Sequence, residues 1–240
     1  MIRTHDFNTR WWGGPVGIVD DPAFFNLPAA ERQSQLDAFE WVEYRQPLDA
    51  SPPLNALLDA GFFQADTQIA FLLNLGKLDE SPSTAALEVR SASAHPFTVS
   101  AADLAHFRHE RFRHLPGCSG ERIDRRYALW ANDLLQASPE TCVQVLLDGR
   151  LQGWFLSRPA RSNHLELTLA MLAGDATISG MLLYQKACIA YGALGYRVGE
   201  ASFSVTNTAV HNIYAKLGAR FAAPLGNWLW INARSNGQDR

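Results

Sequence analysis

The chain has 240 residues, 47% hydrophobic and 19% charged, with a net charge of −3. That is the composition of a soluble globular protein with room for one large domain or two small ones. It excludes a nucleic-acid binder that works by bulk positive charge. The basic residues divide into 18 Arg and 3 Lys; arginine suits bidentate contacts to carboxylate or phosphate, although genome composition explains the skew as simply. Cys118, Cys142 and Cys188 are widely separated, without metal-ligand spacing. A sparse, odd set of cysteines fits a reducing compartment. The start, Met1 to Asp6, lacks the apolar core of a signal peptide, and no run approaches the roughly 18 to 20 apolar residues of a membrane helix. A cytoplasmic protein without metal, nucleic-acid or membrane partners is expected.

In chain order, Trp11-Trp12-Gly13-Gly14-Pro15 is a turn leading into a strand at Val16 to Val19. Ala29 to Phe39 reads as a helix, and Phe39 to Arg45 alternates as a strand does. Pro53 to Asp59 is a helix with Ser51 as a cap and Ala60-Gly61 as its stop, and Phe62 to Leu73 ends as a buried strand. Ser/Pro/Ala clusters from Gly76 to Pro96 form a seam around a short strand at Ala85 to Val89. The seam divides the chain into a small α/β domain, 1–92, and a larger one, 97–236. The larger one starts with a strand at Thr98-Val99 and a helix from Ser100 to His109, interrupted by Pro116 to Gly120. Glu121 to Ala137 is a helix with Ile123, Tyr127, Trp130, Leu134 and Leu135 on one stripe. Strands at Thr141 to Leu147 and Gln152 to Ser157 flank the hairpin turn Asp148-Gly149. A strand at Leu165 to Leu172, a helix at Met181 to Leu194, a strand at Gly199 to Thr206, a helix at Asn207 to Leu217 and a strand at Asn227 to Asn232 complete the order.

The most specific stretch runs from Ser204 to Phe221. An apolar strand ends at Asn207, a short helix carries Tyr214, and Leu217-Gly218 closes it. The spacing of Asn207, Tyr214 and Gly218 resembles the last conserved motif of the GNAT superfamily of N-acetyltransferases, Asn-x-x-(small)-x-x-x-Tyr-x-x-x-Gly-Phe. The order of elements is also similar to a GNAT domain. A narrower resemblance covers most of the chain. Leu57-Leu58-Asp59-Ala60-Gly61-Phe62 with Asp66-Thr67, His109-Glu110-Arg111-Phe112, and Tyr127-Ala128-Leu129-Trp130 resemble elements of the bacterial TDP-fucosamine acetyltransferase family. These resemblances imply an α/β (α+β) GNAT fold, with a mixed, mostly antiparallel, splayed sheet, preceded by a smaller partial GNAT-like domain. They imply acetyl-CoA as cosubstrate, the amine of a nucleotide-linked amino sugar as acceptor, cell-surface polysaccharide synthesis as setting, and a homodimer.

The same resemblance implies the site. Backbone N–H groups around Ala170, Met171 and Leu172 would take the thioester carbonyl. Tyr214 would protonate the departing sulfur as general acid, and Asn207 would cap its helix or help hold the pantetheine arm. Thr177, Ile178, Ser179, Gly180 and Met181 would form the pyrophosphate loop. Here the sequence departs from the family: the usual Arg or Gln is missing, and Thr177 and Ser179 stand in the glycine positions unless a one-residue shift puts Gly180 last. Asp175 would oppose an anion. The general base is open among Glu166, Glu200, His164 and His211, with Glu166 on the central strand taken first; each also reads as an ordinary strand or surface residue. The basic run from His106 to Arg126 would suit a sugar diphosphate or form a solvated face. Trp11 or Trp12 would stack on a base or sugar, or simply fill core. Trp228 to Ile231 would serve a dimer interface or the core.

Overall fold

A computed structural model describes residues 1–50, 52–104 and 109–233. Ser51, His106 and Arg108 lie outside the described residues, as does most of the last turn of the helix expected up to His109. The chain forms two compact units, one of residues 1–69, 110–119 and 223–240, the other of 70–109 and 120–222. The division does not follow the expected boundary at 92–97. Strand β5 (Leu87–Ser91) pairs with β6 (Cys142–Leu147), which assigns the seam to the second unit. The end of β10 (Arg220–Ile231) pairs with β3 (Trp41–Pro47), which assigns it to the first. Pairing partners distant in sequence decide both assignments, and composition does not reveal them.

In the first unit the strand order is β1 (Ile2–Thr4), β2 (Val16–Val19), β3, β10. The β2–β3 pair is parallel and the other two are antiparallel. Helix α1 (Asp6–Trp12), which the sequence pattern did not reveal, ends at Gly13 with φ of 83°, a left-handed cap that suits glycine. Helices α2 (Ala29–Leu36) and α3 (Leu54–Asp59) match expectation. Alternation along β3 and β10 sends Val42, Tyr44, Trp228 and Trp230 into one core with Phe24, Phe25 and Phe62. Trp228 to Trp230 are therefore core residues, each under 8% exposed. Trp11 and Trp12 pack edge-on against Trp41, with Phe112 beside Trp11, so they are cluster members and not free stacking platforms.

Glu43 is buried on β3, and its carboxylate accepts from Arg111 Nε at 2.9 Å and from Arg45 Nε at 3.2 Å. One arginine of the expected anion-binding run is thus consumed internally. Removing one partner of a buried ion pair strands the other charge. Arg111→Met is expected to lower unfolding free energy by roughly 3 kcal/mol, read from urea denaturation. A midpoint equal to wild type would mean that Arg45 alone satisfies Glu43.

In the second unit the order is β9 (Val198–Ser204), β8 (His164–Leu172), β7 (Arg150–Arg161), β6, β5. The β8–β9 pair is parallel and the rest are antiparallel. The strand β4 (Phe63–Asn74) belongs to this unit from Ala70 onward. Helices α4 (Pro82–Ala85), α5 (Gly120–Ala137), α6 (Gly180–Ala193) and α7 (Thr208–Lys216) complete it. Thr98-Val99 is not a strand, and among the described residues of the expected helix after it Ala101–Asp103 form one 3-10 turn. Asp103 turns back to accept from the Ser100 N–H and hydroxyl, which closes the turn early. The core gathers Phe71, Leu73, Phe155, Leu165, Leu167, Leu183, Tyr184, Cys188, Tyr191 and Tyr214. No helix among the described residues is long and apolar enough to cross a membrane.

Candidate active site

The feature that organises the second unit is a fork between β8 and β9. Their parallel register runs His164↔Val198, Leu165↔Gly199, Glu166↔Glu200 and stops, although β8 continues to Leu172 and β9 to Ser204. On its other edge β8 stays paired with β7 as far as Gly153↔Leu172. The cause is local. Between the pairs Leu156↔Leu169 and Arg158↔Glu166, β7 has Ser157 alone while β8 has Leu167 and Thr168. The extra residue is a bulge, and a bulge bends the strand that carries it. The Thr168 hydroxyl donates back to the Glu166 carbonyl at 3.1 Å within that bulge. Ala170, Met171 and Leu172 lie beyond the last β9 pair, on the stretch where β8 has parted from β9.

Side chains directly opposite in a sheet share a face, so Glu166 and Glu200 stand side by side where the fork opens. Arg158 Nε donates to Glu166 at 2.7 Å. Glu200 accepts from Arg161 at 3.1 Å and lies 3.1 Å from His164 Nδ1. Three of the four candidate bases, Glu166, Glu200 and His164, therefore gather at the base of the fork with Arg158 and Arg161. His211 lies elsewhere, its ring 4.7 Å from that of Phe221.

The opposite face carries Tyr214. Its ring is 3% exposed, 3.9 Å from Phe71 and stacked on Phe203 at 5.9 Å, with Tyr184 edge-on at 5.3 Å. Burial, with Tyr184 as a lesser cause, pushes its hydroxyl well above the usual tyrosine range. The hydroxyl has no hydrogen-bond partner among the described residues. Asn207 caps α7: its side chain accepts from the Val210 N–H at 3.2 Å.

The loop between β8 and α6 is closed from inside. Gln152, on β7 and 2% exposed, accepts through Oε1 from the Thr177 N–H at 2.8 Å, the Ile178 N–H at 3.3 Å and the Thr177 hydroxyl at 3.2 Å. The Ala176 N–H donates to the Ala173 carbonyl. The Ser179 hydroxyl and carbonyl both accept from Leu182. A side chain at Gly180 would meet Ile213 of α7 at 3.4 Å, an ordinary contact distance, and Gly180 itself is half-buried. Exposed Asp175 faces Arg150 at 3.5 Å. These residues do not fit a coenzyme A diphosphate held by Thr177 and Ile178. Gln152 escaped the sequence reading; its only signal is a polar residue at an inward position just after the Asp148-Gly149 turn.

Among the described residues, no group of three His, Cys, Asp or Glu side chains is arranged to hold a metal. No family model matches the chain, and no curated protein matches it. Solved structures do. One is a GCN5-related N-acetyltransferase from Kribbella flavida, at 13% identity and TM-score 0.55, with 92% of this chain and 82% of that one covered. A tandem GNAT protein from the clavulanic acid biosynthesis pathway matches at 10% identity and TM-score 0.54, covering 95% and 77%. A GCN5-related N-acetyltransferase from Sphaerobacter thermophilus matches at 14% identity and TM-score 0.52; 83% of this chain aligns, spanning 64% of that one. This agrees with the expected mixed, splayed sheet: the chain has the fold of the GCN5-related N-acetyltransferases.

Proposed function

We propose that the protein is an N-acyltransferase that moves an acetyl group from a coenzyme A thioester to an amine. The observation that carries this reading is the fork. Beyond Glu166↔Glu200 β8 stays paired with β7 alone, which leaves the alternate N–H groups between Ala170 and Leu172 that face away from β7 without a β9 partner, and fixed amides stabilise a developing oxyanion with little reorganisation. The amine nitrogen attacks the thioester carbon, the C–S bond breaks, and the nitrogen loses a proton to Glu166 directly or through water. Tyr214 donates a hydrogen bond to the leaving sulfur. Its burial favours that role over net proton transfer, because a phenol raised well above 10 is a weaker acid than the thiol it would protonate. The thiolate then takes its proton from solvent.

The acceptor in this proposal is the amine of a nucleotide-linked 4-amino-4,6-dideoxy sugar, supported by the sequence elements at Leu57 to Phe62 and His109 to Phe112. With it go polysaccharide synthesis, a cytoplasmic setting and a homodimer. The test is thiol release from acetyl-CoA across a panel of sugar nucleotides, amino acids and peptides. Release with amino-sugar nucleotides alone is expected. Release only with amino acids or peptides moves the acceptor to those classes, and no release with any amine overturns the reading. The hold of Gln152 on the loop favours a second reading, a GNAT-fold binding partner without catalysis. Calorimetry with acetyl-CoA separates them: no heat at millimolar ligand supports the second.

A further inference from the structure

We infer that the β8–α6 loop is not a diphosphate site, because Gln152 holds the place an anion would take. This deepens the proposed function, on which its consequence for the donor rests. A loop that binds phosphate presents unpaired backbone N–H groups to it. Here the N–H groups of Thr177 and Ile178, with the Thr177 hydroxyl, all converge on one acceptor, the Gln152 Oε1. That acceptor comes from β7, beneath the loop, and its own amide nitrogen donates to the Arg150 carbonyl at 3.3 Å. Gln152 is 2% exposed, and its carbonyl oxygen already takes three donors.

Two further features point the same way. Ile178 is half-buried and packs against the core with Met181 and Leu182, so turning the backbone there outward would expose it further. Asp175 on the outer side of the loop faces Arg150 at 3.5 Å, so that guanidinium already has a carboxylate partner. Turning the two N–H groups toward a diphosphate would strand a buried amide carbonyl, which opposes that rearrangement. A thioester donor is therefore recognised by its pantetheine arm, and the nucleotide diphosphate adds little.

The experiment has two readouts on the intact protein. The first is amide hydrogen exchange at Thr177 and Ile178, alone and with inorganic pyrophosphate. Slow exchange, unchanged by pyrophosphate, is expected. It should quicken at least tenfold in Gln152→Met, which keeps the volume but not the acceptor, and stay slow in Gln152→Glu, which keeps an acceptor. Fast exchange in the wild type, or slowing of these amides by pyrophosphate, overturns the inference. The second readout compares binding of acetyl-CoA and S-acetylpantetheine. Affinities within threefold support the inference. Acetyl-CoA bound at least tenfold tighter, with shifts at Thr177 and Ile178, overturns it and leaves the transferase reading intact. If neither thioester binds while the amides remain protected by Gln152, the loop assignment stands and the transferase reading falls.

Discussion

Raising the pH above about 10 is expected to unfold the second unit steeply. Tyr184, Tyr191 and Tyr214 and the Cys188 thiol share one core. Burial is the largest cause of the upward shift in each, taking Cys188 to about 12. The Tyr191 hydroxyl lies 2.9 Å from both the Thr141 and Phe155 carbonyls and shares its one proton between them, which ties it to its protonated form. In the unfolded chain the thiol releases its proton near 8.5 and the phenols near 10. Above those values the unfolded state binds fewer protons than the folded one, so stability falls as pH rises. Each group contributes a slope of about 1.4 kcal/mol per pH unit until its folded-state value is passed. Together the four give on the order of 5 kcal/mol per unit above pH 10, against a total of about 5–15 kcal/mol for a typical domain. Urea unfolding at pH 8 to 11 reads the slope. Absorbance titration reads its cause: of the 6 tyrosines in the chain, these three should ionise only with unfolding. Smooth ionisation of all of them near pH 10 in the folded protein would refute the account.

The same core explains what was legible in the sequence. Long periodic segments were: the stripe along α5, the hairpin at Asp148-Gly149 and the α6, β9, α7 succession lie within a few residues of their expected limits. Local chemistry fixes such elements, and Asn207 capping α7 is an instance. The unit boundary was not legible, because it depends on β5 and the end of β10 choosing partners far away in sequence. Nor was the fork, which rests on a one-residue surplus in β8 relative to β7 and shows only when two strands are set in register. At the candidate site, the small residues from Gly174 to Gly180 suggested an anion loop, but composition cannot tell outward N–H groups from inward ones. Arg111 likewise read as one member of a basic run until Glu43, far upstream, supplied its partner.

Replacing Tyr214 by Phe is expected to lower kcat about 10²- to 10³-fold, the usual cost of losing one donor to a developing charge, with KM little changed. The ring contacts with Phe71, Phe203 and Tyr184 do not involve the hydroxyl and survive the substitution. The hydroxyl has no hydrogen-bond partner among the described residues, so its loss strands nothing and the folded state should keep its stability within about 1 kcal/mol. This separates chemistry from packing: a thermal midpoint near wild type with a large fall in turnover assigns the effect to the sulfur. The pH profile adds a second discriminant. Because burial keeps Tyr214 protonated well beyond pH 10, its ionisation cannot supply an alkaline limb, and the variant should lose the same factor at every pH from 6 to 9. If turnover in the variant equals wild type, or the deficit vanishes at high pH, Tyr214 is a packing residue alone and the departing thiolate is stabilised from elsewhere in the fork.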